Sequence, residues 1–168
     1  MKTLFIIVIA FVTSMNAFSQ KKDVVDIAIG SADHTTLVAA IKAADLVSTL
    51  KGAGPFTVFA PTNAAFDKLP KGTLESLLKP ENKAQLAKIL TYHVISGNLD
   101  ATAVVEAIKS GKGKAVLTTV SGGKLTASME KDKVVLTDES GNSAFVTATD
   151  LKGSNGVVHV IDGVLLPK

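Results

Sequence analysis

The chain has 168 residues and a formal net charge of +3, and every one of its eighteen basic residues is a lysine. Arginine supplies the bidentate forks that recognise phosphates and base edges, so its absence, together with an aromatic content of 5%, argues against a nucleic-acid binder. The chain also lacks cysteine, which excludes disulfides, thiolate nucleophiles and cysteine-ligated metals.

Residues 1–19 have the pattern of a secretory signal peptide. A positively charged start at Lys2 is followed by an apolar run over residues 4–12, and the small residues Ala17 and Ser19 precede a predicted cleavage before Gln20. The apolar run is too short to span a bilayer comfortably. We therefore expect a signal peptide at residues 1–19 and a single domain at residues 20–168. That domain should be secreted, to the periplasm or the extracellular space, and have no transmembrane segment.

The first third of the mature chain has helical patterning. A short helix is predicted directly after Asp23, and a second one over residues 35–44, with Asp33 as its N-cap. A third turn over residues 46–50 ends at a Gly-Ala-Gly-Pro sequence. These segments predict a group of helices ahead of the first strand.

The next segment changes from strand to helix within a few residues. Residues 56–59 mix aromatic and β-branched side chains, which favour a buried strand, and Pro61 cannot continue a hydrogen-bonded ladder. Thr62 and Asn63 are both good N-cap residues for a helix over residues 64–69. Capping is a sufficient explanation for this pair, and contact with a partner would be an additional role.

Helical patterning continues up to residue 109, with one predicted interruption. Short helices are expected over residues 73–78 and 81–90, and a strand over residues 91–95. Asp100 then caps a predicted helix over residues 101–109. Strand geometry would place the side chains of Tyr92 and His93 on opposite faces, which lets one of them fix the junction between helix and strand.

From Lys114 onward the hydrophobic period is that of strands. Hairpin-type turns separate the candidates, and a last short strand is predicted over residues 164–166. The other predicted strands cover residues 115–120, 124–129, 133–137, 143–149 and 157–161. Helices first and an antiparallel meander last indicate one domain of the α+β class.

No pattern in the sequence indicates catalysis or a cofactor. His34, His93 and His159 lack the spacing of a helical metal pair, and the last two lie in apolar, strand-like runs where they could be neighbours. We interpret them as partly buried, hydrogen-bonded histidines rather than metal ligands. Neither a cofactor nor a metal is expected.

Three segments, in this order and at these spacings, resemble the signature blocks of the fasciclin domain family. They are residues 56–66, residues 92–97 with their tyrosine-histidine pair, and residues 155–167. The resemblance covers about residues 22–168. It implies a β-wedge of two sheets with flanking N-terminal helices, and a non-enzymatic adhesion role outside the cell. In animal members the tyrosine-histidine motif is tied to integrin binding, so Tyr92 and His93 are candidate partner-binding residues, together with Thr62 and Asn63.

Three functions are compatible with these observations. The first is a secreted, monomeric adhesion domain that binds an extracellular protein or polysaccharide. The second is an extracytoplasmic carrier with an apolar pocket between its sheets, which the many Val, Leu and Ala residues permit but do not require. A hydrolase is the least favoured, because no catalytic constellation supports it.

Overall fold

The computed structural model describes residues 21–168, so the predicted signal peptide lies outside the described residues. Short 3-10 turns at Ala32–His34 and Pro80–Asn82 precede two of the helices. The α-helices are α1 (Val24–Ile29), α2 (Thr35–Ala43), α3 (Val47–Leu50), α4 (Asn63–Asp67), α5 (Thr73–Leu77), α6 (Lys83–Tyr92) and α7 (Ala101–Ser110). The strands are β1 (Phe56–Pro61), β2 (Val94–Ser96), β3 (Lys114–Thr118), β4 (Lys124–Glu130), β5 (Lys133–Thr137), β6 (Ser143–Gly153) and β7 (Gly156–Ile161).

The strands are hydrogen-bonded in the order β2-β1-β7-β6-β5-β4-β3. Among the strands of residues 21–168, only β1 and β7 run parallel, with Val58 opposite Val158, and every other pair is antiparallel. β6 joins the two halves, because its first residues pair with β5 and its later residues pair with β7. Two register shifts lie within the β6–β7 ladder. An isolated bridge between Ile95 and Thr119 connects the outer strand β2 to the far end of the order. The predicted wedge of two sheets is therefore confirmed, with β6 contributing to both.

Alternation along β1 divides the core into two clusters. Val58 and Ala60 face the N-terminal helices, where they pack with Leu37, Ile41 and other buried side chains of α1, α2 and α6. Phe59, between them, faces the interior of the wedge, and α7 covers that second cluster. The α+β class and the position of the N-terminal helices agree with the sequence prediction.

Three helices begin at side-chain caps, and those from Thr62 and Asp100 were predicted from the sequence. The carboxylate of Asp23 accepts hydrogen bonds from the amides of Val25 and Asp26, and Asp100 accepts one from Ala103. Thr62 caps α4 through its bond from the Ala65 amide. These side chains satisfy amides that have no partner within their own helix.

Four local predictions were wrong. Asp33 does not cap α2, because it lies within a 3-10 turn and the N-cap position is occupied by His34, whose side chain does not bond to the amides of α2. Asn63 is the first residue of α4 and not its cap. Residues 91–95 are not one strand, since α6 continues through Tyr92 and β2 begins at Val94.

The fourth error concerns residues 164–166, which are not a strand. The amides of Leu165 and Leu166 bond to the side chains of His93 and Asp138 and so do not join a ladder. The strands β3 to β7, in contrast, lie where they were predicted, with boundary shifts of a few residues.

Candidate functional site

The side-chain amide of Asn63, at the start of α4, is hydrogen-bonded to the 3-10 turn at Ala32–His34 and to the start of α2. Its Oδ1 accepts hydrogen bonds from the backbone amide of Thr36 at 3.0 Å and from Thr35 Oγ1 at 3.2 Å, and its Nδ2 donates to the carbonyl of Ala32 at 3.0 Å. Asn63 thus supplies the start of α2 with the cap that was predicted from Asp33. Because the cap comes from 27 residues further along the chain, no local pattern could indicate it.

Tyr92 fills the interior of the wedge and is 0% exposed. Its hydroxyl donates to the carbonyl of Lys124 at 2.7 Å and accepts from the amide of Glu139 at 3.3 Å. A β-carbon on Gly123 would lie 2.5 Å from Cε2 of the Tyr92 ring, so that residue must be small. Burial raises the pKa of the Tyr92 hydroxyl, which remains a neutral donor.

His93 is enclosed and both of its ring nitrogens are bonded. Nδ1 donates to the carbonyl of Ile89 at 2.8 Å, so Nε2 is the unprotonated nitrogen that accepts from the amide of Leu165 at 3.0 Å. Burial lowers the pKa of His93 to about 4, because the charged ring would lose its water. At neutral pH the ring is therefore uncharged and holds the C-terminal segment.

Asp138, in the β5–β6 loop, has a role that the sequence did not predict. The residue is buried, and its carboxylate accepts hydrogen bonds from the amides of Ser140, Asn142 and Leu166 at 2.8–2.9 Å. A turn-initiating aspartate is a local signal for the first two bonds, but not for the third. Tyr92, His93 and Asp138 together connect α6, the β5–β6 loop and the C-terminal segment.

The three histidines lie apart. His34 bonds Ser31 Oγ at 2.7 Å, and burial lowers its pKa. His159 donates from Nε2 to the carbonyl of Leu99 at 2.7 Å and stacks on Phe59 with ring centroids 5.6 Å apart. Strand β1 lies between His159 and the strand that follows His93. The predicted hydrogen-bonded state of His93 and His159 is confirmed, and both are more deeply buried than expected.

Within residues 21–168, no group of three metal-ligating side chains is close enough to hold an ion. In the same part of the chain, no helix is both long and apolar enough to cross a membrane.

The carrier alternative requires an apolar cavity, and the space between α7 and the wedge is small. An apolar slit there, bounded by Phe59, Val104, Val146 and His159, has a volume of about 10 Å³. Drug-sized ligands occupy pockets of roughly 300–1,000 Å³. A lipid-like ligand would therefore have to displace side chains from the core.

The four candidate partner-binding residues do not share one surface. Tyr92 and His93 are 0% and 3% exposed, whereas Thr62 and Asn63 are partly exposed at the start of α4. In the described part of the chain, no hydrogen bond links one pair to the other. A role in binding a partner stays a prediction for all four.

Comparison with solved structures defines the class of fold. The chain superposes on a FAS1 domain pair from the insect cell adhesion molecule Fasciclin I with a TM-score of 0.76 and 18% identity, covering 86% of this chain and 51% of that one. Because the identity is low, this match shows the fold alone.

Sequence comparison then gives the family. The fasciclin domain model matches residues 32–167, and the chain belongs to the fasciclin domain family. It is 48% identical to protein sll1483 of Synechocystis over 156 residues, which cover 93% of this chain and 79% of that protein. It is also 39% identical to the transforming growth factor-beta-induced protein ig-h3 of Sus scrofa, over 86% of this chain and 19% of the relative.

Proposed function

We propose that this chain is an exported, non-enzymatic adhesion domain that binds a protein or polysaccharide outside the cytoplasm and acts as a monomer. The observation that supports the proposal most strongly is membership in the fasciclin domain family over residues 32–167. The solved FAS1 pair with the same fold comes from a cell adhesion molecule. The signal-peptide pattern at residues 1–19 adds the expectation of export.

The chemistry of the buried polar groups also favours binding over catalysis. A general acid or base must lie within hydrogen-bond reach of its substrate. Both nitrogens of His93 are bonded to backbone groups, and the Tyr92 hydroxyl is bonded to two more. In our proposal these residues act by positioning the β5–β6 loop and the C-terminal segment. Thr62 and Asn63, which are partly exposed, are the members of the candidate set that a partner could contact directly.

Attachment of cells under shear tests this function. The gene is deleted, and the fraction of cells retained is measured on glass, on a cellulose surface and on gelatin. We expect retention to fall severalfold on at least one surface and to return with the full-length gene. Unchanged retention on all three surfaces would contradict an adhesive role.

A matched rescue variant tests export separately. Ile7→Lys places a charge in the predicted apolar run of the signal, so the protein should remain inside the cell and fail to restore attachment. Full rescue by Ile7→Lys, with the protein still found outside the cytoplasm, would show that residues 1–19 are not its export signal.

A further inference from the structure

A groove of about 510 Å³, lined by both polar and apolar atoms, lies at the end of the wedge where β1 and β7 begin. Three loops line it: residues 53–55 ahead of β1, residues 98–100 ahead of α7, and residues 152–156 at the β6–β7 hairpin. Its volume falls within the roughly 300–1,000 Å³ that ligand pockets occupy in proteins. The groove is remote from the Tyr92 and His93 side chains, neither of which lines it.

Two buried polar side chains fix the wall formed by residues 98–100. Thr57 is fully buried, and its hydroxyl donates to the carbonyl of Gly97 at 2.7 Å and accepts from the amide of Leu99 at 2.8 Å. His159 Nε2 donates to the carbonyl of Leu99 at 2.7 Å. The position of this loop is thus determined by bonds from β1 and β7, which makes the wall preformed.

Asn155 fixes the opposite wall. Its Nδ2 donates to the carbonyls of Leu50 and Gly52 at 2.8 and 3.0 Å, and its Oδ1 accepts from the amide of Val24 at 3.0 Å. A β-carbon on Gly156 would collide with the carbonyl oxygen of Phe56, so a glycine is needed where the hairpin meets β1. Both walls therefore have little freedom to close or to collapse.

Three polar side chains along the groove, in contrast, have no partners in the described part of the chain. Asn98, Lys152 and Ser154 are exposed, and within residues 21–168 none of their side chains makes a hydrogen bond or an ion pair. The amide of Asn98 and the hydroxyl of Ser154 can both donate to and accept from a ligand, and the ammonium of Lys152 can donate. Asp100 uses one carboxylate oxygen to cap α7 and adds an acceptor beside them.

From this arrangement we propose that the groove binds a hydroxyl-rich saccharide, with Asn98, Lys152 and Ser154 as its ligand contacts. The inference rests on the adhesion function proposed above and narrows its partner to a polysaccharide. The residues that contribute most to protein–protein binding are enriched in Trp, Tyr and Arg. The chain has no Trp or Arg, and its single tyrosine is buried elsewhere, which favours a saccharide over a protein as the partner. Sugar hydroxyls match the mixed donors and acceptors, and Pro55 gives the groove a small apolar face.

Amide NMR titration of the purified mature protein tests the assignment. The probes are cellotetraose, as a neutral saccharide, and tetragalacturonate, as an anionic one. We expect one or both to shift the amides of Ala53, Gly54 and Phe56 and those of residues 97–100 and 152–156. A stronger response to tetragalacturonate would indicate that the charge of Lys152 contributes. Shifts confined to other parts of the protein, or no shifts up to the solubility limit of both probes, would overturn the proposal.

A triple variant and a matched control separate the groove from general surface effects. Asn98→Ala/Lys152→Ala/Ser154→Ala removes three ligand contacts and should weaken binding about tenfold or more, because the hydrogen bonds of all three to the saccharide are lost. Lys114→Ala/Thr118→Ala/Ser140→Ala changes three exposed side chains outside the groove and should leave binding unchanged. Equal effects of the two variants, or binding of a gelatin-derived peptide at the same amides in place of the saccharides, would contradict the assignment.

The cell assay distinguishes a failure of this inference from a failure of the proposed function. If deletion of the gene weakens attachment and the groove variant restores it fully, the adhesion function stands and the groove is not its site. If the saccharides bind the groove and deletion does not change attachment, the groove is a saccharide site and the adhesion function fails.

Discussion

Tyr92 shows how one residue of a family motif can be explained by its own contacts. Its ring lies in the wedge interior against Gly123, and its hydroxyl satisfies backbone groups at Lys124 and Glu139. A tyrosine in such a site combines a large apolar surface with a polar tip that must find a partner. The residue therefore joins α6 to two loops of the meander.

Tyr92→Phe should keep the packing and lose both hydrogen bonds. Because the carbonyl of Lys124 and the amide of Glu139 would each lose a partly buried hydrogen bond, we expect the free energy of unfolding to fall by about 1–2 kcal/mol. Urea denaturation measures the change, and an unaltered slope with denaturant would confirm that the two-state transition is preserved.

Thr102→Ser is the matched control for Tyr92→Phe. It also removes one small group, but from the exposed face of α7, so its effect should stay within about 0.5 kcal/mol. Equal stability of the wild type, the control and Tyr92→Phe would show that the two bonds of the hydroxyl contribute nothing.

At the scale of elements, the sequence correctly predicted the helix caps and strands that are determined by neighbouring residues. β5 was predicted with its observed bounds because turn residues flank an apolar run, and Thr62 and Asp100 were predicted as caps because their bonds lie within one turn. The predictions were wrong where contacts between residues far apart in the sequence determine the local structure. Tyr92 favours strands intrinsically, yet it ends α6, and packing in the wedge overrides that preference. The cap of α2 from Asn63 and the bond from Leu166 to Asp138 have no local signature.

Asn155 gives a prediction at this scale, because one side chain joins three elements. Asn155→Ala would leave the amide of Val24 and the carbonyls of Leu50 and Gly52 without their partner at the junction of α1, α3 and the β6–β7 hairpin. We expect a loss of about 2 kcal/mol and faster hydrogen exchange in α1. Thermal and urea unfolding, together with amide exchange by mass spectrometry, would measure these effects.

Asn98→Ala is the control that matches Asn155→Ala in chemistry. The side chain of Asn98 is exposed and makes no hydrogen bond within residues 21–168, so its removal should leave both stability and exchange near wild-type values. Similar losses for the two variants would mean that the three bonds of Asn155 are not the cause.

For the whole molecule, two of the buried histidines, His34 and His93, couple stability to pH. Burial lowers the pKa of His34, and it lowers that of His93 from 6.5 to about 4. The unfolded chain therefore takes up these protons first, and stability falls as the pH drops below about 6.5 until the folded-state pKa is reached. A hydrogen bond from Lys51 lowers the pKa of Asp26. The stability that this carboxylate contributes is therefore lost at lower pH, as the pH falls below the ordinary pKa of 3.8.

The charged groups around His93 do not remove this coupling. Asp138 is the carboxylate near the ring and favours the charged form, but desolvation of the fully enclosed imidazole outweighs it. Protonation would also convert Nε2 from an acceptor into a donor, facing the amide of Leu165. Acid should therefore loosen the C-terminal segment first.

Between pH 7 and pH 4.5 we expect wild-type stability to fall by about 2–3 kcal/mol, most of it from His93. Urea midpoints measured at half-unit steps give the slope, and His93→Gln should flatten it, because glutamine can donate and accept without titrating. Should that variant fold poorly, the imidazole protons of the wild type report the same quantity by NMR. A His93 resonance that titrates near pH 6.5 in the folded protein would show that its buried ring does not couple folding to pH.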